Sequence, residues 1–276
     1  LINMGKHEEA VKKLNMAITL KPDFTEALNH LGYAFFELNK FDKAISCYDK
    51  AIESQPNYAK AHNNRGIILN KLSSHEAAIR SFNLAIEIKP DFTEAYNNLA
   101  GTLALFRAKA FSETLAQSFL DVLNYGNIIR PRIIAPGVIN LLKHNKTIKE
   151  LIRCNNQNTL RDLGLDFCLK LSELPLFIKI MQVCPIPDLE IEDGLKTLRA
   201  TLLIKREKLL NYNDLLQFQS ALALQCFTNE YLYEETEEEA AAVQLLEEQL
   251  KQAYLRNEKL SLYDIACLAS YRPLSD

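Results

Sequence analysis

The sequence predicts an all-α fold, in which an α-solenoid of repeated helical pairs is followed by a non-repetitive helical domain. Three observations predict it. The segment KPDFTEA stands at Lys21 to Ala27 and again, letter for letter, at Lys89 to Ala95. A looser version, QPNYAKA, lies midway at Gln55 to Ala61. From Phe111 onward apolar residues recur at helical spacing without a period, and no segment carries a convincing strand pattern.

Recurrence at fixed spacing points to copied structural units. Pro22, Pro56 and Pro90 follow one another at 34 residues, and other positions keep that register. Ala10, Ala44 and Ala78 form one column, and Ala17, Ala51 and Ala85 another. Gly32 and Gly66, continued by Ala100, form a third; Leu14, Tyr48 and Phe82 form a fourth. A period of 34 with small, small, aromatic and proline columns resembles the tetratricopeptide repeat, from Leu1 to about Phe106.

Each element follows from its residues. Leu1 falls in the middle of a first helix and no methionine opens the chain, so an upstream segment, with any targeting signal, is expected to be missing. Gly32 and Gly66 on first helices, and Ala44, Ala51, Ala78 and Ala85 on second helices, mark places where two axes approach closely. Each proline ends a second helix, because it lacks the amide hydrogen and disfavours helical geometry in the residue before it. Asp23 and Asp91 are then expected as N-caps, with Glu26 and Glu94 three residues on in capping-box spacing.

The register calls for a small residue at 112 and a proline at 124, and the chain supplies Ser112 and Asn124, with Lys109 in the column of Phe41. The array is therefore expected to comprise a partial first repeat, two full repeats and a terminal helix over residues 1–106, with an all-α domain over 107–276 joined near 107–112. In that domain FSETLAQSFLDVL, APGVINLLK, LRDLGLDFCLKL, LPLFIKIMQVC, LEIEDGLKTLRATLLIKRE and LLQFQSALALQCFTNEYLY read as helices. Thr236 with Glu239 is a capping box opening the next helix, and Ser261 opens a last one that Pro273 stops.

Composition excludes several function classes. With 276 residues and 48% hydrophobic content the chain can fill packed helical layers. Its eight glycines form no G-x-G-x-x-G or G-x-x-x-x-G-K loop, so no cofactor is expected in this chain. Net charge −3 and a pI near 6.0 give no overall basic field, which argues against nucleic acid as a partner. Arg130, Arg132 and the segment Lys143 to Lys149 read as a solvated face. No apolar run is long enough to span a membrane, since Lys170 and Lys179 interrupt the greasiest stretch. Six cysteines without a C-x-x-C pair suit a reducing, cytoplasmic setting, and histidine is absent after His144. The glutamates at 234, 235 and 237–239 complement the positive end of a helix rather than forming a metal or acid/base site.

The chain after about residue 110 resembles a second family. PLFIKIMQVCPIPDLEIEDGLKTLRATLL, then FQSALALQCFTNEYLYEETEEEAAAVQLL, then ASYRPL, within Leu160 to Leu274, are similar to the helical middle region of bacterial tetratricopeptide-repeat proteins carrying a class I S-adenosylmethionine-dependent methyltransferase domain. The resemblance implies a catalytic domain downstream of YRPL and outside this chain. Sulfotransferases also carry such arrays, and a stand-alone adaptor is a further alternative.

The first resemblance implies an interaction module, with positions 2, 6, 9 and 13 of each repeat lining a groove that takes an extended peptide or protein segment. These are Glu26, His30, Tyr33 and Glu37; Lys60, Asn64, Ile67 and Lys71; and Glu94 and Asn98, with Asn63 and Asn97 widening the polar strip. Asparagine carries both donor and acceptor and can grip a peptide backbone. Asn64→Ala and Asn98→Ala are expected to weaken such a ligand without disturbing the fold. A clamp for an acidic tail would use Lys60, Asn64 and Asn98, but Glu26 and Glu37 oppose it.

Overall fold

Residues 6–125, 130–211, 215–228 and 235–272 are described in a computed structural model. Among them lie fifteen α-helices and a 3-10 helix, and no strand. The chain divides into two compact units, Leu1–Phe106 with Asn124–Ile129, and Arg107–Leu123 with Arg130–Asp276. The start at Leu1, the Asn229 to Tyr233 end of one expected helix, and the stop at Pro273 lie outside the described residues.

The first unit holds α1 (His7–Leu20), α2 (Thr25–Glu37), α3 (Phe41–Ser54), α4 (Ala59–Lys71), α5 (His75–Ile88) and α6 (Thr93–Leu105). Their boundaries keep the sequence register, with first helices opening at Thr25, Ala59 and Thr93 and second helices at His7, Phe41 and His75. The prolines stop α1, α3 and α5 through a tight turn, in which the amide of Phe24 donates to Lys21 O (3.2 Å), that of Tyr58 to Gln55 O (3.1 Å) and that of Phe92 to Lys89 O (3.0 Å). Proline suits the second position of such a turn because its φ is already set.

This turn corrects the expected caps. Asp23 and Asp91 sit at its third position, so the N-caps fall one residue later on Phe24 and Phe92, neither with a side-chain cap. Asp23 instead offers its carbonyl, which accepts from Ser54 Oγ at 2.8 Å and so ties the turn to the end of α3.

The small columns do what their size allows. A Cβ built on Gly32 would lie 2.7 Å from the Tyr48 ring, and one on Gly66 would lie 2.6 Å from the Phe82 ring. Glycine and aromatic columns are thus two halves of one contact, in which a bare backbone receives a flat ring from the next helix. Ala44, Ala51, Ala78 and Ala85 are fully buried. Between first and second helix, Asn39 (φ 54) and Ser73 (φ 60) take the left-handed conformation. Around them the amides of Asn39 and Lys40 bond Phe36 O and Phe35 O (both 2.8 Å), and those of Ser73 and Ser74 bond Asn70 O (3.0 Å) and Leu69 O (2.9 Å). These are Schellman endings. After α6 the pattern fails, for Phe106 is extended (φ −69, ψ 139) and the next residue of that column is Arg107.

The second unit holds α7 (Glu113–Asn124) up to Leu123, then α8 (Pro131–Leu142), α9 (Lys146–Asn156) and α10 (Leu160–Ser172). It continues with α11 (Pro175–Val183), α12 (Leu189–Ile204), a 3-10 helix (Arg206–Asn211), α13 (Leu215–Thr228), α14 (Glu237–Leu255) and α15 (Leu262–Ala269). The helix α9 was not among the sequence expectations, where its lysines read only as a charged surface. It is capped by Asn145, whose side chain accepts from the Thr147 amide (2.8 Å), and it buries Ile148, Leu151 and Cys154 on one face. Gly164 breaks α10 with φ 55 and ψ −132, and Lys205 Nζ donates to the Arg161 carbonyl (2.9 Å) beside the break. The capping box of Thr236 and Glu239 and the Ser261 cap stand where the sequence placed them.

Candidate functional site

The first helices α2, α4 and α6 neighbour one another in the first unit, and asparagines join them. Asn64 Nδ2 donates to Asn29 Oδ1 (3.0 Å), and one repeat later Asn98 Nδ2 donates to Asn63 Oδ1 (2.9 Å). Asn63 Nδ2 in turn donates to Glu94 Oε1 (3.3 Å). The rungs recur because Asn29 and Asn63 share one column and Asn64 and Asn98 the next, each rung spanning 35 residues. Asn29, absent from the sequence-derived set, is 5% exposed and provides the ladder's first acceptor. The signal that could have found it is its column, Asn29, Asn63 and Asn97.

Two expectations need correction. Asn63 is 1% exposed and bonded at both ends of its amide, so it is a rung and not part of an open polar strip. Asn64 and Asn98 are half-buried, and their replacement by alanine would leave the Asn29 and Asn63 carbonyls without these donors. The fold would therefore feel that change, since a buried acceptor left unpaired costs about 1–3 kcal/mol. Each of Asn64 and Asn98 commits one amide hydrogen to the ladder and retains a carbonyl oxygen and a second amide hydrogen.

The remaining residues frame these amides. Glu26, His30, Glu37, Lys60, Lys71, Glu94 and Asn97 are exposed, Tyr33 is 39% exposed, and Ile67 is half-buried. A hydrogen bond to the Glu37 carboxylate is the main cause that pushes the Tyr33 phenol above its usual range. Lys71 Nζ stands 5.3 Å from both the Phe36 and Phe41 ring centroids, which fixes a cation at the end of α4. On α6, Gly101 occupies the position held by Tyr33 and Ile67 in the earlier repeats, and among the described residues a Cβ there would meet nothing within 4 Å.

The second unit gathers a different set, of which local spacing announced only the Thr236–Glu239 cap. Arg199, Glu239 and Tyr271 are each 2% exposed. Tyr271 donates its hydroxyl to Glu239 Oε1 (2.7 Å), Arg199 donates to the same oxygen (3.3 Å), and the Arg199 guanidinium lies 4.1 Å from the Tyr271 ring centroid. Glu239 Oε2 accepts from the Thr236 amide (3.0 Å) and hydroxyl (2.9 Å). Burial alone would raise the Glu239 carboxyl, but the Thr236 amide, the Tyr271 and Thr236 hydroxyls and Arg199 together bring it below its usual range. Arg272 pairs with Glu235 and, at 3.8 Å, with Glu247.

Nucleophilic chemistry finds little support in the cysteines. None of the six pairs in a disulfide and all are buried, and burial pushes the Cys47, Cys184 and Cys226 thiols to about 11 and Cys267 to about 12. Among the described residues no group of three or more His, Cys, Asp or Glu is placed to hold a metal, and no helix is long and apolar enough to cross a membrane.

Comparison with known proteins agrees with the first unit. Residues 1–39 and 32–73 match the family described as TPR repeat, and residues 59–92 match the tetratricopeptide repeat. The chain thus contains tetratricopeptide repeats, and its all-α fold is a solenoid of them followed by non-repetitive helices. Among solved structures 68 chains match. One is the first TPR of Spaghetti (RPAP3) bound to the HSP90 peptide SRMEEVD, 27% identical, covering 37% of this chain and 80% of that one with a TM-score of 0.36. No curated protein matches.

Proposed function

We propose that this chain is a protein-interaction module whose α2, α4 and α6 face holds an extended peptide of a partner protein. The observation that carries the reading is the pair Asn64 and Asn98, equivalent residues one repeat apart, each with amide hydrogen-bonding capacity left after the ladder is made. A peptide backbone repeats its donors and acceptors whatever its side chains, so amides repeated along neighbouring helices match it. His30, Tyr33, Ile67, Lys60, Lys71 and Asn97 then read the side chains.

The array, residues 1–106, and the helical domain, residues 107–276, form the non-catalytic part of a longer protein, an S-adenosylmethionine-dependent methyltransferase on the resemblance within Leu160 to Leu274. In that role the chain itself carries no cofactor and presents or restrains a catalytic domain further along. Six cysteines without a C-x-x-C pair or a disulfide suit the cytoplasm. Calorimetry of residues 1–276 with S-adenosylmethionine is expected to give no saturable binding; saturation at micromolar cofactor would overturn this part.

The interaction reading is tested by removing a spare amide together with its ladder partner. Asn29→Ala with Asn64→Ala deletes both ends of a rung, which leaves no orphaned acceptor. This double variant is expected to keep its melting temperature near wild type and to bind the partner less tightly, by roughly the 0.5–1.5 kcal/mol of an ordinary hydrogen bond. Unchanged affinity would place the partner elsewhere.

A further inference from the structure

On the reading of α2, α4 and α6 as a peptide-binding face, we infer that the partner segment carries a basic residue, then an acidic residue, then a bulky apolar residue, each about three positions from the last, in either chain direction. Charge on this face alternates by repeat. On α2 the exposed rim residues are Glu26 and Glu37; on α4 the same two positions hold Lys60 and Lys71. On α6 they hold Glu94, whose carboxylate accepts from Asn63 at 3.3 Å, and Leu105, which is 68% exposed. The sign therefore reverses from α2 to α4, and a segment of uniform charge, including a wholly acidic tail, meets repulsion on one helix or the other.

The spacing follows from geometry. Packed helices lie about 8–10 Å apart, and an extended chain rises about 3.3 Å per residue, so about three residues carry a peptide from one helix to the next. The apolar position follows from Gly101. Gly32 and Gly66 are required by the rings of Tyr48 and Phe82, but Gly101 has open space where a Cβ would stand. Glycine in the interior of an exposed helix is unfavourable, and among the described residues no neighbour gives a reason for it. Bare backbone beside exposed Leu105, one turn along α6, leaves an open apolar surface against which an approaching side chain can pack.

The test is a selection of random peptides displayed on phage against residues 1–276, followed by calorimetry of a synthetic peptide of the enriched sequence. The expected consensus has basic, acidic and apolar residues at about three-residue intervals. Lys60→Glu with Lys71→Glu should weaken that peptide about tenfold, and exchanging its acidic residue for lysine should restore most of the loss. Gly101→Leu should raise the melting temperature yet weaken the peptide about tenfold, a combination that a purely structural glycine would not give. A consensus without the charge alternation, or Gly101→Leu binding as well as wild type, overturns this inference while leaving the interaction reading intact, provided that the Asn29→Ala, Asn64→Ala variant still weakens the peptide. No enrichment, or peptides insensitive to that variant, overturns both.

Discussion

The two units bury polar groups in opposite ways. In the first, single amide bonds recur from helix to helix, Asn29 with Asn64 and Asn63 with Asn98, and each joins only neighbours. In the second, one knot gathers Arg199 from α12, Thr236 and Glu239 from the start of α14, and Tyr271 just beyond α15. A ladder distributes its cost, so losing a rung disturbs two helices. A knot concentrates it, so losing one member exposes every other. The contrast shows why the array can leave spare amide capacity on an open face while the Glu239 carboxylate cannot. Glu239 has both carboxylate oxygens engaged and 2% exposure, so it is built for holding and not for binding.

The largest expected effect breaks the knot. Arg199→Ala leaves the Glu239 carboxylate buried without its cation and should cost about 3–5 kcal/mol in urea unfolding. Hydrogen exchange should place that loss in the second unit, with amides at Ala51 and Ala85 unchanged. A loss spread equally over both units would contradict the contrast. The same knot sets an acid dependence. The folded Glu239 carboxyl lies below its unfolded value, so its stabilisation is complete above the unfolded value and disappears as pH falls through the folded one. In Glu239→Gln that part of the acid sensitivity should vanish from a pH series of melting temperatures.

Within the array, Gly66→Ala should cost about 1–3 kcal/mol, because its Cβ would meet the Phe82 ring at 2.6 Å. Asn64→Ala alone should cost about 1–3 kcal/mol by orphaning Asn29 Oδ1, and adding Asn29→Ala should recover most of it. Failure to recover would mean that Asn64 supports the fold through something other than the rung. The smallest effect has the opposite sign. Gly101→Ala should stabilise by up to about 1 kcal/mol, since the added methyl meets none of the described residues and alanine favours the helix. Equal destabilisation by Gly66→Ala and Gly101→Ala would erase the distinction between a packed and an open glycine.

The repeat was legible because its information is periodic. Pro22, Pro56 and Pro90 set the register, and the boundaries of α2, α4 and α6 follow it. The caps were misread because Asp23 and Asp91 look like N-caps locally, whereas Pro-Asp-Phe is spent on a turn that delays the helix by one residue. The candidate face was half legible. Asn64 and Asn98 could be named from their columns, but that Asn63 is consumed by Asn98 and Glu94 depends on the distance between helices, which no single helix encodes. The knot was not legible beyond its Thr236–Glu239 cap, since Arg199 and Tyr271 stand 40 and 32 residues from Glu239. Such pairings are set by tertiary packing and leave no spacing to read.

The central claim is that a peptide lies across α2, α4 and α6 against the asparagine amides. Side-chain amide resonances of Asn64 and Asn98, followed by nitrogen-15 NMR as a phage-selected peptide is added, test it most directly. Both should shift and saturate with the calorimetric affinity, while the side-chain amide of Asn63, with its oxygen and one amide hydrogen already bonded, moves less. Saturating shifts confined to α3, α5 or the second unit, with Asn64 and Asn98 unmoved, would contradict it.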